Sequence, residues 1–111
     1  MTEGDVVLTP VPQADGTIKN RPAIFLREMP PFKDLLVCGI STQLRQEVKG
    51  FDELISSNDA DFASSGLIRE SVIRLGFLAV VSQSRIAGKI GSISTERHNR
   101  LLERLSLYLV K

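Results

Sequence analysis

Several short β-branched runs followed by one long amphipathic stretch limit the folds open to this chain. Asp5–Thr9, Ala23–Arg27, Leu35–Ser41, Ser71–Leu75 and Leu78–Ser82 are apolar, short and rich in valine and isoleucine, as strands are. At the C-terminal end, Leu101, Leu102, Leu105 and Leu109 recur at i, i+1, i+4 and i+8, the spacing of one helical face. Ser94 stands where an N-cap belongs, and Glu96 faces the positive end of that helix. Strands in series, then a single helix, predict a mainly β (α+β) chain. The expected form is a small, strongly bent antiparallel sheet or barrel with the terminal helix packed on it.

The punctuation between the runs sharpens this. Pro10 and Pro12 are expected to end the first strand, and Asp15-Gly16 marks a turn because it supports positive φ. The stretch Pro10–Asn20 then reads as a long loop, of the length that tends to carry function. Pro22 favours extended backbone at Arg21 and so starts the second strand. Residues 44–65 fit a short helix or a short strand about equally: Phe51, Leu54 and Ile55 match one helical turn, and nothing in the period separates the two. Gly76 splits the late apolar run and predicts a bend or bulge. A further short strand is expected over 85–90, closed by Gly91. Gly88-Lys89-Ile90-Gly91 reads as a β-bend rather than a phosphate cradle.

A length of 111 residues predicts one domain, 1–111. The net charge of +1 gives no general pull toward nucleic acid, so any such affinity needs a local patch or a pairing of chains. The lone cysteine, Cys38, lies in an apolar strand and reads as a core residue. No intrachain disulfide is possible, and no signal peptide or membrane-spanning run is visible. A cytoplasmic protein is expected.

The chemistry-bearing residues are few. One histidine, His98, reads as a solvated residue of the terminal helix, so a ribonuclease built on two histidines is excluded by count. No phosphate-binding loop, zinc spacing or other metal-ligand cluster is present, and no cofactor is implied. Arg21 stands at the mouth of the second strand and Ser41-Thr42-Gln43 at the end of the third. Singly, such an arginine is usually a surface cation and such a hydroxyl usually satisfies a turn. Jointly, on neighbouring strands, a guanidinium and a hydroxyl suit a phosphodiester: a fixed double donor beside a neutral one. Aromatics make up 5% of the chain; Phe32 is expected to be exposed, and Phe25 and Phe77 to be core.

The ordered set Gly4-Asp5-Val6-Val7-Leu8, Arg21-Pro22-Ala23-Ile24, Ile40-Ser41-Thr42-Gln43, Gly66-Leu67, Ser71-Val72-Ile73, Ile86 and Ile90-Gly91 resembles the PemK/MazF family of toxin–antitoxin ribonucleases. The resemblance covers nearly the whole chain. It implies an SH3-like bent antiparallel β-barrel of the CcdB/PemK/MazF type with a C-terminal amphipathic helix. It implies a homodimer, a cognate antitoxin partner with which DNA is bound, and metal-independent cleavage of single-stranded RNA to a 2′,3′-cyclic phosphate and a 5′-hydroxyl. The family's catalytic arginine falls on Arg21 and its catalytic threonine on Ser41. RNA contacts are then expected from Gln13, Asp15, Lys19 and Asn20 of the first loop and from Thr42 and Gln43. A different class of reading keeps the fold without catalysis: a gyrase inhibitor of the CcdB kind, or an inactive member. Leu107-Tyr108-Leu109-Val110-Lys111 lacks the Trp–Gly–Ile ending of CcdB.

Overall fold

The computed structural model describes residues 1–12 and 14–111. Six strands form one sheet: β1 (Asp5–Pro12), β2 (Ile18–Met29), β3 (Asp34–Ser41), β4 (Glu53–Ile55), β5 (Ser71–Val81) and β6 (Gly88–Ser92). Two helices accompany them, a single turn α1 (Phe62–Ser65) and the long α2 (Thr95–Leu109). The strand order is β4-β5-β3-β2-β1-β6, with every neighbouring pair antiparallel. The sheet curls into a half-barrel with α2 on one face, as the order of apolar runs implies.

Period-two alternation divides the sheet into two faces. Val6, Ile24, Cys38 and Ile73 point to one side, where Leu101 and Leu105 of α2 complete the main core. Val7, Ala23, Phe25, Leu35 and Val37 form a smaller cluster on the other. Cys38 is a core residue as expected; burial pushes its thiol up to about 12, so it is inert at neutral pH.

The structure corrects several sequence readings. Pro10 and Pro12 do not end β1, which pairs with β2 through Pro12↔Ile18. The Leu8 carbonyl accepts from Ala87 N at 2.9 Å, so alternate residues of β1 turn their backbone toward β6. β6 pairs no further than Leu8. The two prolines therefore lack their N–H where no neighbour needs it. The long loop shrinks to a short tip, described over 14–17, between extended hairpin arms. In the undecided 44–65 stretch, a 3₁₀ turn at Leu44–Gln46 precedes β4 and α1. Residues 88–92 form a strand, β6, and Ser64 Oγ donates to the Ser92 carbonyl at 3.1 Å, so α1 covers part of its outer side. That approach requires glycine on both sides: a Cβ at Gly66 would overlap the Ile90 carbonyl, and one at Gly91 the backbone of Ser64 and Ser65.

β5 is one strand with a large bulge, not two. β3 passes directly from Cys38 to Gly39, while β5 inserts Leu75, Gly76 and Phe77 between Leu78 and Arg74. Leu75 N, out of register, donates to the buried Asp52 carboxylate at 3.0 Å. The same carboxylate accepts from Val48 N at 2.8 Å, so one aspartate holds the bulge to the preceding loop. The bulge brings the Phe77 ring against Gly39, where a Cβ would stand 2.6 Å from Phe77 Cδ2. Phe77 is 51% exposed, contrary to its expected place in the core. A smaller bulge takes Leu26 of β2 out of register with β3. Its carbonyl lies 2.8 Å from His98 Nε2, which must carry the proton because a carbonyl only accepts. His98 is thus half-buried and pins α2 to β2, rather than being solvated.

The other side of α2 is held by charge. Arg97, Arg100 and Arg104, at i, i+3 and i+7, share one helical face. Arg97 is buried, and its guanidinium meets Asp61 through Nε at 2.9 Å and Nη2 at 3.1 Å. It also meets Glu53 at 2.8 Å, the Leu54 carbonyl at 3.0 Å and Asp59 at 3.2 Å. The contacts to Asp61, Glu53 and the Leu54 carbonyl are hydrogen bonds, and that to Asp59 is an ion pair. Arg100 and Arg104 close on the same Glu53. Asp61 also accepts from Ser94 N at 3.0 Å, beside the N-cap bond from Arg97 N to Ser94 Oγ. Burial pushes the Asp61 carboxyl up, but the Arg97 hydrogen bonds, the Ser94 N–H and the Arg97 charge together hold it below its ordinary 3.8.

Two outcomes are expected. Because Asp61 is depressed on folding, its contribution is complete above about pH 4 and is lost as pH falls through the lower folded value. Asp61→Asn should cost about 2–4 kcal/mol at pH 7 in urea unfolding, and the gap from wild type should close toward pH 2. An unchanged gap at pH 2 would place the cost elsewhere. Gly39→Ala should cost about 1–2 kcal/mol by displacing the Phe77 ring, and almost nothing in a Phe77→Ala background. Equal costs in both backgrounds would show that the ring is not what Gly39 accommodates.

Candidate functional site

The face of the sheet away from α2 carries a groove of about 720 Å³. Its floor continues the smaller apolar cluster, with Ala23, Val37 and Gly39, and its walls turn polar at the strand ends. Register explains what meets there. Thr9 pairs with Arg21, Ala23 with Gly39, and Gly39 with Arg74. Extending the β2–β3 register by two residues sets Arg21 opposite Ser41. Arg21, Ser41, Thr42 and Gln43 all line the groove. Thr42 shares it with Ser41 because β3 ends at Ser41 and strand alternation stops there.

Ser41 is half-buried, and its Oγ accepts from Gln43 N at 3.0 Å. That bond uses a lone pair and leaves the hydroxyl hydrogen available to donate. Arg21 is exposed at the groove wall, its backbone extended by Pro22 as the sequence requires.

The remaining expected contacts are not gathered in. Lys19 and Asn20 are exposed farther out on the β1–β2 hairpin, opposite Val11 and Pro10, and do not line the groove. Of the same hairpin, Val11 and Ala14 line the groove instead. Asp15 is occupied locally: its Oδ1 accepts from Thr17 Oγ1 at 2.6 Å and Thr17 N at 3.0 Å. Those two bonds hold its carboxyl below its ordinary value, which makes it a weaker base. Gln13 lies outside the described residues.

Other groove residues escaped the sequence reading. Arg69 and Arg74 join Arg21 on the walls, and Phe77 lies beside Arg74, whose guanidinium carbon is 5.6 Å from the ring centroid. Their signal was present as arginines around the late apolar run, but only the pairing of β5 with β3, which sets Arg74 opposite Gly39, shows which face Arg74 takes. Among the described residues the lining includes three arginines and no carboxylate. A chain of net charge +1 thus concentrates positive charge in one cleft. Such a surface suits a phosphate-bearing ligand, held by planar double donors with a hydroxyl beside them. Among the described residues no helix is long and apolar enough to cross a membrane.

Comparison with known proteins agrees with this fold. The Mycobacterium tuberculosis toxin MazF-mt6 has the same fold, with a TM-score of 0.64 over 95% of each chain and 21% sequence identity. No curated protein matches the chain. The family model of the PemK-like, MazF-like toxins of type II toxin–antitoxin systems matches residues 2–109. Spanning nearly its whole length, that match shows that the chain belongs to this toxin family.

Proposed function

We propose that the chain is a metal-independent endoribonuclease, the toxin of its toxin–antitoxin pair, acting on single-stranded RNA in the cytoplasm. What supports this reading is the groove: three arginines, no carboxylate among the described lining residues, and the Ser41 hydroxyl on the same wall as Arg21. The reaction is a transesterification. The ribose 2′-oxygen attacks phosphorus and gives up its proton, and the bond from phosphorus to the 5′-oxygen breaks. That oxygen takes up a proton as it leaves. The products are a 2′,3′-cyclic phosphate and a 5′-hydroxyl, and no water is consumed.

The protein must stabilise a crowded phosphorus centre carrying extra negative charge. Arg21 suits that task because its guanidinium is planar, bidentate and always charged. Ser41 supplies a hydrogen bond to a non-bridging oxygen. Arg69 and Arg74 hold flanking phosphates. Thr42 and Gln43, exposed at the end of β3, offer polar contacts to the bases.

A homodimer belongs to the same proposal. Leu78 and Val80 of β5 are exposed on the α2 side of the sheet, as are Leu107, Leu109 and Val110 at the end of α2. A second copy would cover such apolar area and double the charged surface offered to RNA or to an antitoxin segment. With the antitoxin bound, the complex would also engage DNA.

Arg21→Ala is expected to slow cleavage about a hundredfold or more. It should change stability by no more than about 0.5 kcal/mol. Arg21→Lys should restore only part of the rate, because an ammonium does not hold two oxygens in one plane. Ser41→Ala should be milder, and Ser41→Thr should be tolerated. The measurement is the cleavage rate of mixed-sequence single-stranded RNA in EDTA, with folding followed by circular dichroism. Full activity in Arg21→Ala removes this arginine from the mechanism, and complete loss in EDTA replaces the proposal. Sedimentation at micromolar concentration should show a dimer; a strict monomer would count against the shared groove.

A further inference from the structure

Phe77 is out of place for a core residue. The β5 bulge carries it out of the ladder, and half of its surface is exposed where it lines the groove. Two features hold the ring there. Gly39 leaves the space it occupies against β3, where any Cβ would stand 2.6 Å from Cδ2. The Arg74 guanidinium lies over the ring, 5.6 Å from its centroid. The bulge is itself anchored, because the buried Asp52 takes the N–H of Leu75. A large aromatic is thus exposed at a fixed place beside a cation, in a cleft whose described walls carry no acid.

Resting on the ribonuclease reading, the geometry points to Phe77 and Arg74 as a stacking seat for one nucleobase of the RNA. The ring supplies the apolar plane, and Arg74 supplies a cation that stacks on π surfaces and meets the adjoining phosphate. Arg21 and Ser41 act on the scissile phosphodiester; Phe77 acts on a base and fixes the register of the strand. The mixture favours nucleic acid over an acidic peptide, since alternating anions and planar rings match both groups at once. Phe77 is therefore an RNA-binding residue that sets register, hidden by the chain's low aromatic content.

The chain has no tryptophan, so Phe77→Trp places a single fluorophore at the seat. The probe is a 2′-O-methyl decaribonucleotide, which binds but cannot be cleaved because its 2′-oxygens are blocked. An abasic strand of equal length keeps the phosphates and removes the rings. The decaribonucleotide is expected to quench the tryptophan, and the abasic strand to leave it unchanged. Phe77→Leu, apolar but not planar, should raise Kd for the decaribonucleotide and KM for cleavable RNA about 5- to 100-fold, with the smaller share of the loss in kcat. Phe77→Tyr should stay near wild type. An unquenched tryptophan in the bound complex, or wild-type Kd in Phe77→Leu, overturns the seat while the ribonuclease reading stands. Conversion of Phe77→Leu to a monomer in sedimentation also overturns it, by making Phe77 an interface residue. A wild-type chain that neither binds nor cleaves RNA removes both readings.

Discussion

Arg97 is the residue on which the rest of the chain leans. A guanidinium in the interior is tolerable only if its charge is matched and its N–H groups are accepted. Asp61, Glu53, Asp59 and the Leu54 carbonyl do this together. These acceptors come from β4 and from the segment leading into α1. Arg97 itself belongs to the first turns of α2. One side chain therefore sets where the middle of the chain lies against its last helix. A buried ion network of this kind is weak evidence for net stability, since an apolar cluster of similar shape would avoid the desolvation cost. Its directional bonds specify position, and position is what the groove on the opposite face requires.

The two faces of the sheet are used differently. The α2 side is closed by Leu101 and Leu105 and by the Arg97 network. The other side keeps only a small apolar cluster and opens toward the strand ends. Bulges connect the two. The one in β2 turns the Leu26 carbonyl toward His98 and so belongs to the helix side. The one in β5 is tied by Asp52 and presents Phe77 to the groove side. Irregular pairing is thus how a small sheet satisfies a core on one surface and presents polar and aromatic groups on the other.

Much of this was legible in the sequence, for reasons that can be stated. The strands appear because β-branched residues alternate between two buried faces, as Val6 and Val7 do. The helix appears because Ser94 caps it and leucines follow at helical spacing. That Arg21 and Ser41 line one groove follows from strand order, since each stands at the end of a neighbouring apolar run. What stayed hidden depends on long-range partners. The role of the arginines at 97, 100 and 104 depends on Glu53 and Asp61, which only the fold brings to them. Pro10 and Pro12 read as terminators because local sequence does not say which edge of a strand lies open. Phe77 read as core because a three-residue bulge leaves no mark beyond one glycine.

Serine at position 41, where the proposed catalytic hydroxyl stands, is restrained by its neighbour. A threonine's β-methyl restricts rotation about χ1, so its hydroxyl waits in few orientations. Serine lacks that restriction and would lose more entropy on donating to a substrate oxygen. The Gln43 N–H supplies a different restraint, a hydrogen bond of 3.0 Å into Ser41 Oγ. That bond restrains the oxygen from the backbone side and turns the remaining hydrogen away from the Gln43 N–H. It also polarises the hydroxyl, since an oxygen that accepts one hydrogen bond donates another more strongly. A turn formed by Ser41-Thr42-Gln43 can thus do by hydrogen bonding what a methyl group does by steric exclusion. The catalytic role proposed for Ser41 depends on orientation and not on side-chain size, and orientation is what this turn supplies.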